Sequence, residues 1–249
     1  KEVYEYSNEM VIPERHPYVG ELVYTAFSGS HPDAINKGMK AIKVANHPVW
    51  EVPYLPIDPQ DVGRSYEAII RINSQSGKGG VAFLVEHELG FRLPRRLQVA
   101  FSQVIQAITD DTGVEIPSRE SATKFLETYV NPPARLVYES HKPIECDEQD
   151  LERYRFVFSY DGEQYTVEAN GNGPLDACVH MLTETFGLAY DIKDYSEHAM
   201  EAGSDSAAAA YILAQKPNGE ELFGVGKSKS ITKASILALV AAINRSLAG

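Results

Sequence analysis

The sequence predicts an α+β protein in which small, mostly helical segments precede a domain built from two βββα units. In the second half of the chain, strand patterns are twice followed by an apolar helical stripe that begins after a glycine-rich junction. In the first half, short helical patterns are separated by proline-rich and glycine-rich segments, which end helices and central strands. Because neither three-stranded half could bury its sheet face alone, we expect the two units to pack together.

The composition is typical of a globular protein of one or two domains. Of the 249 residues, 43% are hydrophobic and 23% are charged, and no apolar run is long enough to span a bilayer. The net charge of −12 argues against a nucleic-acid partner. Cys146 and Cys178 have neither metal-site spacing nor a disulfide framework, so a reducing cytoplasm is expected.

The first residues predict a helix and its exit loop, over positions 1–20. Lys1 is not a methionine, and the first ten residues lack the apolar core and cleavage site of a signal peptide. We therefore expect the chain to be the C-terminal part of a longer protein. Next, a small-residue loop leads into a helix, with Ser30 or His31 as its cap. A histidine at this place is either a structural end of the helix or a functional group beside an anion.

A proline-punctuated segment with Pro53, Pro56 and Pro59 follows, and Tyr54 within it is either packed under the loop or functional. The glycine-rich loop Ser76–Gly80 contains a single lysine. It lacks the first glycine and the hydroxyl of a phosphate-binding loop, so we interpret it as a flexible hinge.

The middle of the chain predicts one strand and two helices. The apolar run Val81–Val85 predicts a strand, and Leu97–Ile108 predicts a helix because its apolar residues recur at i, i+4, i+7, i+8 and i+11. A polar turn is expected at Asp110–Gly113, and a short helix at Ser118–Val130. The prolines of Asn131–Pro133 then indicate a boundary.

Two copies of the order β-β-β-α are predicted after that boundary. Alternating residues, the hairpin signal Asp161-Gly162 and one apolar helical stripe indicate the first copy, with strands near Leu136–Ser140, Tyr154–Tyr160 and Gln164–Ala169. The second copy comprises strands at Ala189–Tyr195, Ala207–Gln215 and Glu221–Val225 and the helix Ile231–Leu247.

Two small-residue segments are candidate binding sites. Gly171-Asn172-Gly173-Pro174 opens a helix whose free N–H groups could receive a carboxylate, although an ordinary strand-to-helix turn has the same pattern. The run Ser206–Ala210 is either tightly packed or lines a pocket for an aliphatic side chain.

Several strings of residues, spread over nearly the full length, resemble 2-isopropylmalate synthases. Homocitrate and citramalate synthases share the chemistry but look less similar. The strings that carry the resemblance are Glu51–Gly80, His16-Pro17-Tyr18, Leu22–His31, Asp33-Ala34-Ile35, Leu93–Leu97, Gly171–Pro174 and Tyr195–Ala199.

The resemblance implies a transferase of leucine biosynthesis that condenses acetyl-CoA with 2-oxoisovalerate. Its divalent metal lies in a catalytic (β/α)8 barrel that is not part of this chain, so no metal is expected to be bound here. His31 and Tyr54 match catalytic residues that are delivered to the active site of the partner subunit of a homodimer. The chain alone is expected to be inactive.

The resemblance also implies a domain order and an effector site. The expected segments are a remnant of the catalytic domain (1–20), linker subdomain I with His31 and Tyr54 (21–75), linker subdomain II (76–131) and a regulatory domain (132–249). Leucine, the end product, binds the regulatory domain at the dimer interface and lowers activity. The matching contacts are Gly171, Asn172, Gly173, Pro174, Tyr195, Ala199, Ser206 and Ala208.

Other hypotheses remain open from the sequence. The chain could be the regulatory portion of a citramalate synthase, for which isoleucine would be the preferred effector. It could be a stand-alone module for amino-acid sensing and dimerisation, or a dimer brace that has lost its regulation.

Overall fold

The structure, a computed structural model, describes residues 2–20, 23–24, 30–46, 48–64, 78–113, 116–145, 151–203 and 205–248. It divides the chain into two compact units, Lys1–Thr123 and Lys124–Gly249. Among the described helices, none is both long and apolar enough to cross a membrane. Cys146 and the Ser76-Gly77 part of the expected hinge lie outside the described residues.

As far as Phe125, the regular elements of the described residues are helices. They are α1 (Glu2–Asn8), α2 (Ser30–Ala45), α3 (Lys78–Leu89), α4 (Arg95–Thr112) and α5 (Ser118–Phe125). A 3-10 turn at Pro59–Val62 interrupts the proline-rich segment, and the side chain of Asp58 accepts the Gln60 N–H at its start. In the first unit, Ile35, Val52 and Leu55 are buried together.

The strand predicted at Val81–Val85 is wrong, because these residues lie within α3. Val81, Leu84 and Val85 are buried at the spacing i, i+3, i+4, which is one face of a helix. A run of five apolar residues fits a buried strand and a buried helical turn equally well, and periodicity alone does not separate them.

Three predicted helix ends are also displaced. Helix α2 already begins at Ser30, so the expected caps Ser30 and His31 lie in its first turn. Helix α4 continues through most of the expected turn and ends at Thr112, with Gly113 as its C-cap at a φ of 68°. The helix expected at Ser118–Val130 changes at Phe125 into a π-helical turn, Leu126–Val130.

The order β-β-β-α occurs twice in the second unit, as predicted. The elements are β1 (Leu136–Ile144), β2 (Glu152–Tyr160), β3 (Glu163–Gly171), α6 (Pro174–Phe186), β4 (Asp191–Ala199), β5 (Ala208–Gln215), β6 (Glu221–Ser228) and α7 (Ile231–Leu247). Each set of three strands forms an antiparallel sheet in chain order, β1-β2-β3 and β4-β5-β6.

Two glycines in β6 allow α7 to lie directly on the second sheet. A Cβ atom on Gly224 would be 2.0 Å from the carbonyl oxygen of Ala238, and one on Gly226 would be 2.0 Å from that of Ala234. The helix therefore packs backbone against backbone. Buried residues of both sheets and both helices form one core, which includes Phe156, Leu182, Ile212 and Leu239. This is the shared packing expected of two units that cannot bury their faces alone.

Asn244 joins the last helix to the first strand. Its Oδ1 accepts the backbone N–H groups of Arg135 and Leu136 at 3.0 and 2.9 Å, and its Nδ2 donates to the carbonyl of Leu136 at 2.7 Å. Asn244 is 3% exposed and Leu136 is fully buried. The end of the second βββα unit is thereby attached to the beginning of the first.

Candidate functional site

A cavity of about 800 Å³ opens between the start of α6, strand β4 and the start of α7. Asn172, Gly173 and Pro174 line it from the junction before α6, and Tyr195 lines it from β4. The fold thus brings together four of the residues that sequence analysis assigned to an effector site. Its volume lies within the range of about 300–1,000 Å³ found for small-molecule sites.

The junction before α6 is held by the side chains of α6 itself. Asp176 accepts the backbone N–H of Asn172 at 2.9 Å through Oδ2, and His180 Nδ1 lies 2.9 Å from the carbonyl oxygen of Asn170. Gly173 caps the helix without a side-chain hydrogen bond. The first N–H groups of α6 are therefore not capped by a side chain, and a helix start of this kind favours an anionic group.

The two glycines of the junction have different roles. A Cβ atom on Gly171 would be 2.4 Å from the backbone nitrogen of Ala177, so Gly171 permits the close packing of β3 against α6. Gly171 does not line the cavity. A Cβ atom on Gly173 would meet nothing within 4 Å. Gly173 is thus the glycine beside open space.

Tyr195 connects β4 with α7 across the cavity. Its hydroxyl lies 2.9 Å from the Oγ of Ser235 and also donates to the carboxylate of Glu197. The pKa of Tyr195 is raised, mainly by burial of its hydroxyl and further by the hydrogen bond to Glu197. Tyr195 as a whole is nevertheless 42% exposed, so it forms part of the rim.

The described lining combines polar side chains, His180 among them, with apolar ones. Asp176 and Asp191 contribute carboxylates, and the described lining includes no lysine or arginine. Lys193 lies outside the lining and pairs with Asp191 at 3.2 Å. The apolar side chains of the lining include Leu175, Val179, Ile192 and Ile231.

The remaining expected contacts lie at the other end of β4. Ala199 pairs with Ala208 across β4 and β5, and Ser206 lies in the connection between these strands. The Oγ of Ser206 accepts the backbone N–H of Glu201 at 2.9 Å. Ala208 is only 6% exposed. None of these three expected contacts lines the cavity, so one protomer does not gather the whole expected set.

The two expected catalytic residues are neighbours in the first unit. The rings of His31 and Tyr54 have centroids 4.0 Å apart and planes tilted by 40°. Tyr54 has a φ of 65°, which is unusual for any residue except glycine. The pair is separated in the sequence by most of α2, and it meets because the proline-rich segment brings Tyr54 back to the start of that helix.

Among the cavity residues that sequence analysis did not single out are Asp176, Asp191 and Ser235. Asp176 had a usable signal, because a carboxylate in the first turn of a helix is stabilised by the helix dipole. Ser235 had none, since it lies in the apolar stretch of the last helix. Within the described ranges, no group of three or more His, Cys, Asp or Glu side chains could hold a metal ion.

Comparisons with known proteins agree on one family. A family model described as "LeuA allosteric (dimerisation) domain" matches residues 118–247, and "Alpha-isopropylmalate synthase, post-catalytic domain-like" matches residues 21–86. The chain belongs to the 2-isopropylmalate synthase family. The match to the allosteric domain contains the whole cavity between α6, β4 and α7, and the match to the post-catalytic domain contains His31 and Tyr54.

Curated 2-isopropylmalate synthases are similar over almost all of this chain. Those of Agrobacterium fabrum and Rhizobium meliloti are 55% identical over 99% of it, and that of Mycobacterium ulcerans is 47% identical over 97%. In each case the chain spans 44% of the length of the relative.

Proposed function

We propose that this chain is the linker and regulatory part of a 2-isopropylmalate synthase, an acyl-CoA-dependent acyltransferase that condenses acetyl-CoA with 2-oxoisovalerate in the cytoplasm. In this proposal the chain binds leucine, forms a homodimer and supplies His31 and Tyr54 to the reaction. The cavity that unites Asn172, Gly173, Pro174 and Tyr195 is the observation that carries the proposal. It lies within the residues that match an allosteric dimerisation domain.

The chemistry of the cavity suits an amino acid with an aliphatic side chain. The carboxylate of the ligand would lie at the start of α6, whose first N–H groups are not capped by a side chain. The ammonium group would lie near Asp176 and Asp191, and the side chain among Val179 and Ile192. The two carboxylates of the described lining would attract an ammonium group, which leucine has and a 2-oxo acid of the same shape lacks.

A second protomer would complete the site. In the described sheet, β4 is an edge strand, and Tyr195, Glu197 and Ala199 are exposed along it. Their partners on β5, including Ala208, face the core beneath α7. This strip of β4 is therefore open on the helix side of the sheet. A partner subunit that meets the Ala199 end of this strip, beside Ser206, would enclose the cavity from that side, as expected for a leucine site at a dimer interface.

The catalytic contribution follows from the pair in the first unit. His31 would move a proton at the reaction centre of the partner subunit, and Tyr54 would help to position the reacting groups. The divalent metal of the reaction would be bound by the catalytic barrel, and His31 and Tyr54 would act beside it. Inhibition requires that leucine bind the inactive arrangement of the synthase more tightly than the active one.

Calorimetry on the 249-residue chain tests the effector. We expect heat on titration with leucine, a much weaker response to isoleucine, and none to 4-methyl-2-oxopentanoate, which has the side chain of leucine but no ammonium group. A preference for isoleucine would point to a citramalate synthase. If neither amino acid gives heat and the melting temperature is unchanged by leucine, the remaining hypothesis is a dimer brace that has lost its regulation. Synthase turnover by this chain alone would contradict its proposed dependence on a barrel.

A further inference from the structure

The hydroxyl of Tyr195 has two competing partners in the cavity wall, and only one of them is buried. Ser235 is 3% exposed, lies in the second turn of α7 and approaches Tyr195 to 2.9 Å. Glu197 is exposed and lies two residues further along β4. A hydrogen bond to a buried group is shielded from competing water, whereas one to an exposed group exchanges readily with solvent.

The number of hydroxyl protons limits the hydrogen bonds that Tyr195 and Ser235 can form at the same time. Ser235 also approaches the carbonyl oxygen of Ile231, at 2.9 Å. With Glu197 ionised, the three contacts of Tyr195 and Ser235 share two hydroxyl protons. Tyr195 donates to Glu197 while Ser235 donates to Tyr195, or Tyr195 donates to Ser235, which donates to Ile231. Both of these arrangements keep the bond between Tyr195 and Ser235. In a third, Tyr195 donates to Glu197 and Ser235 donates to Ile231, so their own contact has no proton, and losses that add in a double-mutant cycle would reveal it.

We propose that Ser235 is a positioning residue of the effector site, whose hydroxyl holds the ring of Tyr195 against α7 as one wall of the cavity. This inference depends on the leucine site proposed above. Without the serine hydroxyl, Tyr195 keeps only its exposed partner on an edge strand. Its ring then turns toward solvent. A ligand must order the ring again when it binds, and this cost lowers its affinity.

A double-mutant cycle tests this proposal in the 249-residue chain. Leucine affinity is measured by calorimetry for the unsubstituted chain, Ser235→Ala, Tyr195→Phe and the double variant. Each single substitution is expected to weaken leucine binding about 3- to 10-fold, the effect of one hydrogen bond. The double variant is expected to bind no more weakly than either single variant, because both remove the same bond.

Two further measurements separate positioning from general stability. Without leucine, the melting temperature of Ser235→Ala should stay within a few degrees of the original, since alanine is a good helix former. Glu197→Gln serves as the matched control, because it alters the exposed partner of the same hydroxyl. It should change leucine affinity by less than about twofold.

The outcomes are distinct. Leucine affinity that survives Ser235→Ala or Tyr195→Phe overturns the inference, and so do losses that add in the double variant. An equal loss in Glu197→Gln overturns it as well, because the exposed partner would then be the one that matters. If the unsubstituted chain fails to bind leucine, the proposed function fails and the inference fails with it.

Discussion

The rings of His31 and Tyr54 lie side by side, with centroids 4.0 Å apart. Tyr54 reaches this place through a φ of 65°, a conformation that costs a residue with a side chain about 1–3 kcal/mol. Tyr54 is nevertheless 61% exposed, so burial of this residue does little to offset the cost. Strain of this kind concentrates at functional sites, which supports a role for the pair outside its own unit.

His31→Ala in an intact synthase should lower kcat by about 10²- to 10⁴-fold, the usual contribution of a general acid or base. Leucine affinity should stay the same, because His31 does not line the cavity. Steady-state kinetics and calorimetry on the same preparation measure both. His87→Ala is the control, since its ring stacks on Phe83 in the same unit. A variant that retains at least half of the original kcat would exclude His31 from the reaction.

Gly171→Ala and Gly173→Ala should have opposite effects on stability and binding. A methyl group at Gly171 would lie 2.4 Å from the nitrogen of Ala177, so the free energy of unfolding should fall by about 1–3 kcal/mol. At Gly173 the backbone is extended and the added methyl group meets nothing. That variant should keep its stability but bind leucine more weakly, because the methyl group is added at the cavity wall. Denaturant unfolding and calorimetry check the pair, and equal stability of both variants would contradict the assignment.

Asn244→Leu should destabilise the second unit by about 2–4 kcal/mol. The substitution leaves two N–H groups and one carbonyl of residues 135 and 136 without their hydrogen bonds, in a place where Leu136 is fully buried. Asn218→Ala is a control, because its side chain accepts one backbone N–H in an exposed turn. Urea unfolding should separate the two variants clearly. Similar midpoints for both would mean that Asn244 does not hold the strand to the helix.

His141 should make the folded chain less stable as the pH falls. Burial, followed by the nearby charge of Lys233, lowers the pKa of His141 below its ordinary value of 6.5. The Oη of Tyr138 lies 2.6 Å from its Nδ1. Below pH 6.5 the unfolded chain therefore binds a proton that the folded chain does not, so the free energy of unfolding decreases until the folded pKa is reached.

The variant His141→Gln should lose that part of the pH dependence. Urea unfolding at pH 7.5, 6.5 and 5.5 gives the decrease for each protein, and the difference between the two isolates His141 from the other histidines. His198→Gln is a suitable comparison in the same unit. An identical decrease for His141→Gln and the original chain would show that this histidine does not titrate differently on folding.

The elements of the second unit could be read from the sequence because each had a local signal. Strand β2 alternates between buried and less buried residues, and the hairpin at Asp161-Gly162 uses positive φ angles of 53° and 87°. The apolar run Val81–Val85 had no such signal. Its five residues fit either period, and it folds as part of a helix because one face of α3 is buried.

The grouping of the candidate site residues could be predicted only in part. Asn172, Gly173 and Pro174 are consecutive, so any fold keeps them together. Tyr195 joins them because β4 passes the start of α6, a relationship between segments that no local pattern encodes. The resemblance to a family supplied this grouping in advance, but it also included Ala208, which is buried in the protomer.

By itself, the sequence determined the family, the two βββα units and the position of the glycine-rich junctions, because these depend on residues close together along the chain. Only the tertiary structure decided that Ser235 meets Tyr195, that Asn244 holds β1, and that Gly171 serves packing while Gly173 faces open space. Each of these contacts joins elements that packing brings together. The physical reason is that burial selects which faces meet, and a one-dimensional pattern specifies a face but not its partner.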